Sequence, residues 1–237
     1  MLSKLKKIKF SLLNERNISK YLMYAIGEII LIVIGILVAL HFNNMNISRQ
    51  SNEVERQYYQ AIKAQLAEDR AILKEEAADA ADRKKAFISG KNIINGNSRD
   101  RSDELAGVLL RLIDYGDFRR SSNVYQTLVS SGEIKYIKNN KIIDDLQEIE
   151  RAYEIIERLE QTQANVVMTH TAPAILQITD IENVKIINQD IAFTKITSNR
   201  FVIAIKLVDE KIHEFNDVVM RIDGLSEKIS IELDKDK

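Results

Sequence analysis

The chain has 237 residues, with 34 Lys+Arg against 35 Asp+Glu and no cysteine, so neither a disulfide scaffold nor a thiolate metal site is available to it. The near-zero net charge hides an asymmetry. Residues 1–42 hold six basic and two acidic side chains, leaving 28 basic against 33 acidic beyond them, a balance that argues against nucleic acid as a partner. One proline and eight glycines are few helix breakers, and with abundant Ile, Leu, Lys, Glu and Ala they predict an all-α fold of long helices.

Residues 1–20 form a basic segment carrying Lys4, Lys6, Lys7, Lys9, Arg16 and Lys20. Leu2, Leu5, Ile8, Leu12 and Leu13 among the lysines suit it to an anionic inner leaflet; a disordered basic tail is the plainer reading. Residues 21–42, YLMYAIGEIILIVIGILVALHF, are apolar almost throughout. A bilayer core about 30 Å thick needs roughly 20 such residues in a helix, so this stretch is predicted to span a membrane. No small-x-small cleavage motif follows it, which favours an uncleaved signal anchor over a signal peptide. The flank before the span is rich in Lys and Arg, whereas residues 43–57 carry only Arg49 and Arg56. The positive flank marks the cytoplasmic side, so the N-terminus is expected inside and residues 43–237 outside.

Glu28 is the one carboxylate in the span, where a charge costs a few kcal/mol. At 100° per residue, Gly35 and Ala39 each fall within about 20° of Glu28 around the helix, and Tyr21 and Tyr24 lie near the same face. Small residues permit close approach of a second helix, and a carboxylate there gives it a polar handle. Glu28, Gly35, Ala39, Tyr21 and Tyr24 are therefore the candidate transmembrane contact residues. The competing reading is that Glu28 reaches the headgroup interface or takes up a proton.

The run Lys20-Tyr21-Leu22-x-Tyr24-Ala25-Ile26-Gly27-Glu28-Ile29-Ile30-Leu31-x-Val33-Ile34-Gly35-Ile36-Leu37-x-Ala39-Leu40, followed by Asn43-Asn44-x-Asn46, resembles the opening of a family of Bacteroidota single-span proteins grouped only as a domain of unknown function. Tyr125-x-x-Leu128-x-Ser130-Ser131-Gly132-x-Ile134-x-x-Ile137 resembles the middle of the same family, whose members often carry Trp where this chain has Met45. The resemblance implies a membrane location and no activity. With the flanking charges, the expectation is a bacterial inner-membrane protein, single-pass, with residues 43–237 periplasmic.

Beyond the span, Ile47, Val54, Tyr58, Ile62, Leu66, Leu73, Ala77, Ala80 and Phe87 recur at helical spacings, predicting that the helix runs on, through a possible kink at Asn43-Asn44, and stops near Ser89-Gly90. Asn92–Arg101 reads as a loop, with Ser102 or Asp103 capping a short helix to Ile113. A second short helix over Ser122–Ser131 should stop at Gly132, and Asn139 or Asn140 should cap the next. There Ile142, Leu146, Ile149, Tyr153 and Ile156 alternate 4-3-4-3 toward Met168, before a break or kink at His170-Thr171-Ala172-Pro173. Ile175–Ile178 and Asn188–Phe193 suggest helical turns and Val184–Ile187 a strand. Ser198 is expected to cap a last helix with core positions Phe201, Ile205, Val208, Ile212, Phe215, Val219, Ile222, Ile229 and Leu233, and with Ser226 at a core position. Together these predict that residues 43–237 form one extracytoplasmic, antiparallel helical bundle.

No catalytic constellation, nucleotide loop or cofactor site stands out. His213-Glu214 with Asp217 lacks the further ligands zinc needs. Arg119-Arg120 could meet an anion or be a solvated helix end, and the pairs Glu75-Glu76 and Asp144-Asp145 read as solvated faces. The expectation is a non-enzyme without cofactor: a membrane-anchored interaction module docking to its own copy as a homo-oligomer, or to another membrane protein. An extracytoplasmic ligand-sensing bundle is the alternative.

Overall fold

The computed structural model describes residues 15–116, 118–120 and 123–235, with side chains from Leu22 onward. Most of the basic segment, residues 1–14, and the side chain of Tyr21 lie outside the described residues. The chain divides into two compact units, one ending at Val54 and one over Glu55–Lys237. The described residues are almost wholly helical, with one two-stranded ladder of two residues each.

Helix α1 runs unbroken over Glu15–Asn95, 81 residues, with no interruption at Asn43-Asn44. Its part in the first unit contains the apolar stretch, and it is the one helix among the described residues long and apolar enough to cross a membrane. The expected stop at Gly90 does not occur. Gly90 is buried inside the helix, and a Cβ there would lie 2.6 Å from Phe201 Cζ and 2.8 Å from Val108 Cγ1. This glycine lets an aromatic ring press against the backbone. Asn92–Asn95, expected in a loop, are the last turn of α1.

Within the second unit, α2 (Ser102–Arg111) follows a 3₁₀ turn at Arg99–Arg101. That turn feeds straight into the helix, so Ser102 already holds helical angles and neither it nor Asp103 caps. Helix α3 (Val124–Ser131) is capped by Asn123, whose Oδ1 accepts from Gln126 N at 2.8 Å, and it ends on Gly132 at φ +73°. Helix α4 (Asn140–Val166) is capped by Asn139, which accepts from Lys141 N at 3.0 Å. The break expected near Pro173 is instead a π turn at Val167–Thr171 leading into α5 (Ala172–Ile178), with Pro173 in its first turn. Proline cannot donate to the carbonyl four residues back and crowds it; the wider turn absorbs the misfit.

Strand β1 (Thr179–Asp180) pairs antiparallel with β2 (Lys185–Ile186) across a turn in which Asp180 accepts from the amides of Glu182 and Asn183. After α6 (Gln189–Ala192), capped by Asn188, the last helix α7 spans Lys195–Lys235. It begins before Ser198, so Ser198 does not cap it. That serine is fully buried in the first turn and donates to Asn95 Oδ1 at 2.9 Å, while Thr194 Oγ1 accepts from Thr197 N.

Side-chain pairs fix the helix directions. Lys63–Ser230, Arg70–Asp223, Lys84–Asp209 and Asn95–Ser198 run in opposite order along α1 and α7, and Asn139–Glu232, Asp145–Lys228 and Glu160–Lys211 do the same for α4 and α7. Glu55–Lys138 and Asp69–Tyr153 run in the same order. Helix α7 is thus antiparallel to both others, and α1 and α4 are parallel. The return between them is made by the short elements 96–139, where an up-down order expects a long helix.

Two apolar clusters hold the unit. The first joins Ile62, Leu66 and Leu73 of α1 to Ile142–Ile156 of α4 and Phe215–Ile229 of α7. The second joins Ala80, Phe87 and Ile94 of α1 to Leu105 and Leu109 of α2, Ile175 of α5, and Phe201 and Val208 of α7. Each buried Leu, Ile or Phe removes enough surface from water to stabilise the fold by roughly 1.5–3 kcal/mol.

Candidate functional site

The proposed contact residues lie on regular α-helix, so the angular argument for one face applies to Glu28, Gly35 and Ala39 as built. Side chains over residues 22–50 are exposed, and a Cβ placed on Gly27 or Gly35 would meet nothing within 4 Å. Tyr24 is exposed on the same stretch at 78%. This face is therefore open, with small residues at Gly35 and Ala39 and a carboxylate at Glu28.

Inside the bundle lies a polar layer that the sequence pattern concealed. The core stripe of α1 reads 59, 62, 66, 69, 73, 76, 80, 83, 87, alternating three and four, and it contains Asp69, Glu76 and Arg83. The stripe of α4 continues past Ile156 to Glu160 and Gln163, both buried. On α7 the register is Phe201, Val208, Lys211, Phe215, Val218, Ile222, Leu225, Ile229, all buried. Lys211 is 2% exposed.

These polar residues meet between the two apolar clusters. Lys211 Nζ lies 3.0 Å from Glu160 Oε1, donates to the Gly116 carbonyl at 3.3 Å, and sits 5.5 Å from the centre of the Phe215 ring. Glu160 also accepts from Phe118 N at 2.9 Å, which ties Phe118 into the core. A Cβ at Gly116 would lie 2.8 Å from Glu76 Oε2, 3.1 Å from Arg83 Nη2 and 3.4 Å from Lys211 Nζ, so the glycine backbone sits directly among these charges. Two positive and two negative groups balance, which makes the layer self-neutralising.

A second polar group borders the first cluster. Tyr153 donates to Asp69 Oδ2 at 3.0 Å, Gln65 donates to the same oxygen, and Val124 N donates to Gln65 Oε1 at 2.7 Å. Burial, followed by the Asp69 charge, pushes the Tyr153 phenol well above the ordinary tyrosine range, so it stays a neutral donor. Phe118 stacks on Tyr153 at 5.7 Å, and Arg120 lies over the same ring at 4.5 Å while bonding both oxygens of Glu150 at 2.7 and 2.8 Å. Arg120 is thus a structural clamp, in place of the anion site or solvated helix end expected of it. Glu76 and Asp145 also depart from the solvated faces expected for their pairs: Glu76 turns a buried oxygen toward the layer, and Asp145 pairs with Lys228 at 2.6 Å.

His213 is exposed, and Asp217 is held by Arg221 at 2.6 Å. Among the described residues no group of three His, Cys, Asp or Glu is placed to hold a metal ion. A cavity of about 210 Å³ opens beside the π turn, lined by residues including Phe87, Leu112, Gln163, Val167, Arg200 and Leu207. No family model matches this chain, and no curated protein or solved structure matches it.

Proposed function

We propose that this chain is a membrane-anchored interaction module. It is single-pass, with a cytoplasmic N-terminus and residues 43–237 on the periplasmic side of a bacterial inner membrane. Its span docks against another membrane helix, from its own copy or a second protein, and the bundle presents a surface outside. The observation that carries this reading is the exposed apolar stretch of α1 with Glu28, Gly35 and Ala39 on one face. A carboxylate facing lipid is costly, and a helix partner that hydrogen-bonds it relieves that cost. The resemblance of residues 20–46 to the opening of Bacteroidota single-span proteins also supports the membrane placement.

The test is size and composition of the particle purified in mild detergent, native against Glu28→Leu. The reading expects an oligomer or a stable second protein in the native preparation, weakened in the variant. A monomer in both preparations removes the role assigned to Glu28.

A further inference from the structure

The cavity beside the π turn has the make-up of a ligand site, and it stands apart from the contact reading of the span. Its walls are apolar, built by Phe87, Leu112, Val167 and Leu207 from α1, the end of α2, the π turn and α7. A cavity of about 150 Å³ lined this way holds benzene, so 210 Å³ admits a slightly larger body of about eight or nine heavy atoms.

Four polar side chains interrupt the wall, Gln163, His170, Thr171 and Arg200, and two of them, Gln163 and Arg200, carry buried atoms without a hydrogen-bond partner. Gln163 is 94% buried, and its Oε1 accepts no hydrogen bond. Arg200 has a buried Nε–H without an acceptor and no ion-pair partner among the described residues. Its Nη1 donates to the His170 carbonyl at 2.9 Å, which fixes the guanidinium against the π turn. A buried acceptor left unmade and a buried donor left unmade are each costly. Both lie on one small cavity, at a π turn, a feature that collects at functional sites.

The unmade groups select the ligand. A plain hydrocarbon would leave both orphaned. A phosphate or dicarboxylate would bring a second negative charge into a largely apolar wall in which Arg200 is the one guanidinium. An ammonium would place a second cation beside Arg200 with only a neutral amide oxygen to receive it. One acceptor carrying a single negative charge, one neutral donor and an apolar body meet both unmade groups and the apolar wall. We propose that this cavity binds a small apolar hydroxycarboxylate, its carboxylate on Arg200, its hydroxyl donating to Gln163 Oε1, and its hydrocarbon body against Phe87 and Leu112.

The test is isothermal titration calorimetry of the full chain in lipid nanodiscs, with empty discs as the blank. The probes are 2-hydroxy-4-methylpentanoate and 4-methylpentanoate, which differ by the hydroxyl and stay within about nine heavy atoms. The native chain should bind the hydroxy acid with a Kd near or below about 1 mM, and 4-methylpentanoate about tenfold or more weakly. Gln163→Met should erase that difference. Ala204→Trp, which fills the cavity from α7, should abolish both; if it loses helical circular dichroism, Leu207→Phe takes its place. No binding of 2-hydroxy-4-methylpentanoate at about 10 mM overturns the proposal. So does equal affinity for the two probes, or binding that survives the cavity-filling change.

Discussion

Replacing Lys211 with methionine is the sharpest perturbation of the bundle. Lys211 is buried at a core position of α7, 3.0 Å from Glu160 and 3.3 Å from the Gly116 carbonyl. Methionine keeps the length of the side chain and removes the charge. The buried Glu160 carboxylate, which also accepts from the Phe118 amide, then loses its cation, and breaking a buried pair by removing one partner costs about 3–5 kcal/mol. In a chain of this size that corresponds to a fall in Tm of roughly 6–20 °C. The double variant Lys211→Met, Glu160→Gln removes both charges while the glutamine oxygen still accepts from Phe118 N. It should recover most of the loss, because a buried ion pair replaced as a pair costs little. Thermal and urea denaturation of the full chain in detergent measure both. A single variant within about 1 kcal/mol of the native chain, or a double variant no better than the single, refutes the argument that the pair is desolvated.

Gly90→Ala should destabilise by about 1–3 kcal/mol, because its Cβ meets the Phe201 ring at 2.6 Å, and Gly224→Ala, which meets nothing, should stabilise by about 0.5–1 kcal/mol; equal effects in urea denaturation would contradict the close-approach account of Gly90. Asn139→Ala loses the α4 cap and the bond to Glu232 at 2.6 Å and should cost about 1–2 kcal/mol, read from the same curves. The pH dependence follows from carboxyls held low: the Arg70 hydrogen bond on Asp223, and the Lys235 and Asn139 hydrogen bonds on Glu232, depress both. Groups with folded values below their unfolded ones contribute stability that is whole above about pH 4 and fades as the pH falls through the folded values, so the denaturation midpoint should drop on acidification below about pH 4. A midpoint that rises over that window opposes this.

The helical class and several element ends are legible because they rest on local chemistry. Gly132 and Asn139 act as the stop and the cap their residue types suggest, and the α4 repeat from Ile142 to Ile156 is buried throughout. What was not legible was polar residues in core positions. Along α7 the repeat points to Ile205, Ile212, Val219, Ser226 and Leu233 as the second stripe; Val219 is buried and Ile205, Ile212 and Leu233 pack partly buried on the clusters, while Lys211, Val218 and Leu225, each one residue earlier, are the fully buried positions. A lysine at a core position pushes a pattern reader onto the neighbouring isoleucine. Carried strictly on, the 4-3 repeat of α4 lands on Glu160 and Gln163, so the signal was present but outweighed by residue type. Gly90 misled for the opposite reason: whether a helical glycine ends the helix or admits a neighbour depends on Phe201, more than a hundred residues away in sequence.

The central claim is that one face of the span is a contact face. The absence of cysteine from the chain leaves single introduced cysteines as unique attachment points for a photo-crosslinker. At 100° per residue Leu37 lies about 180° from Glu28, whereas Ala39 lies within about 20° of it. Crosslinking in intact membranes should give a protein adduct, dimeric or with a second protein, from Ala39→Cys, little from Leu37→Cys, and loss of the Ala39 adduct when Glu28→Leu is added. Equal adducts from both positions, or an Ala39 adduct indifferent to Glu28, would contradict it.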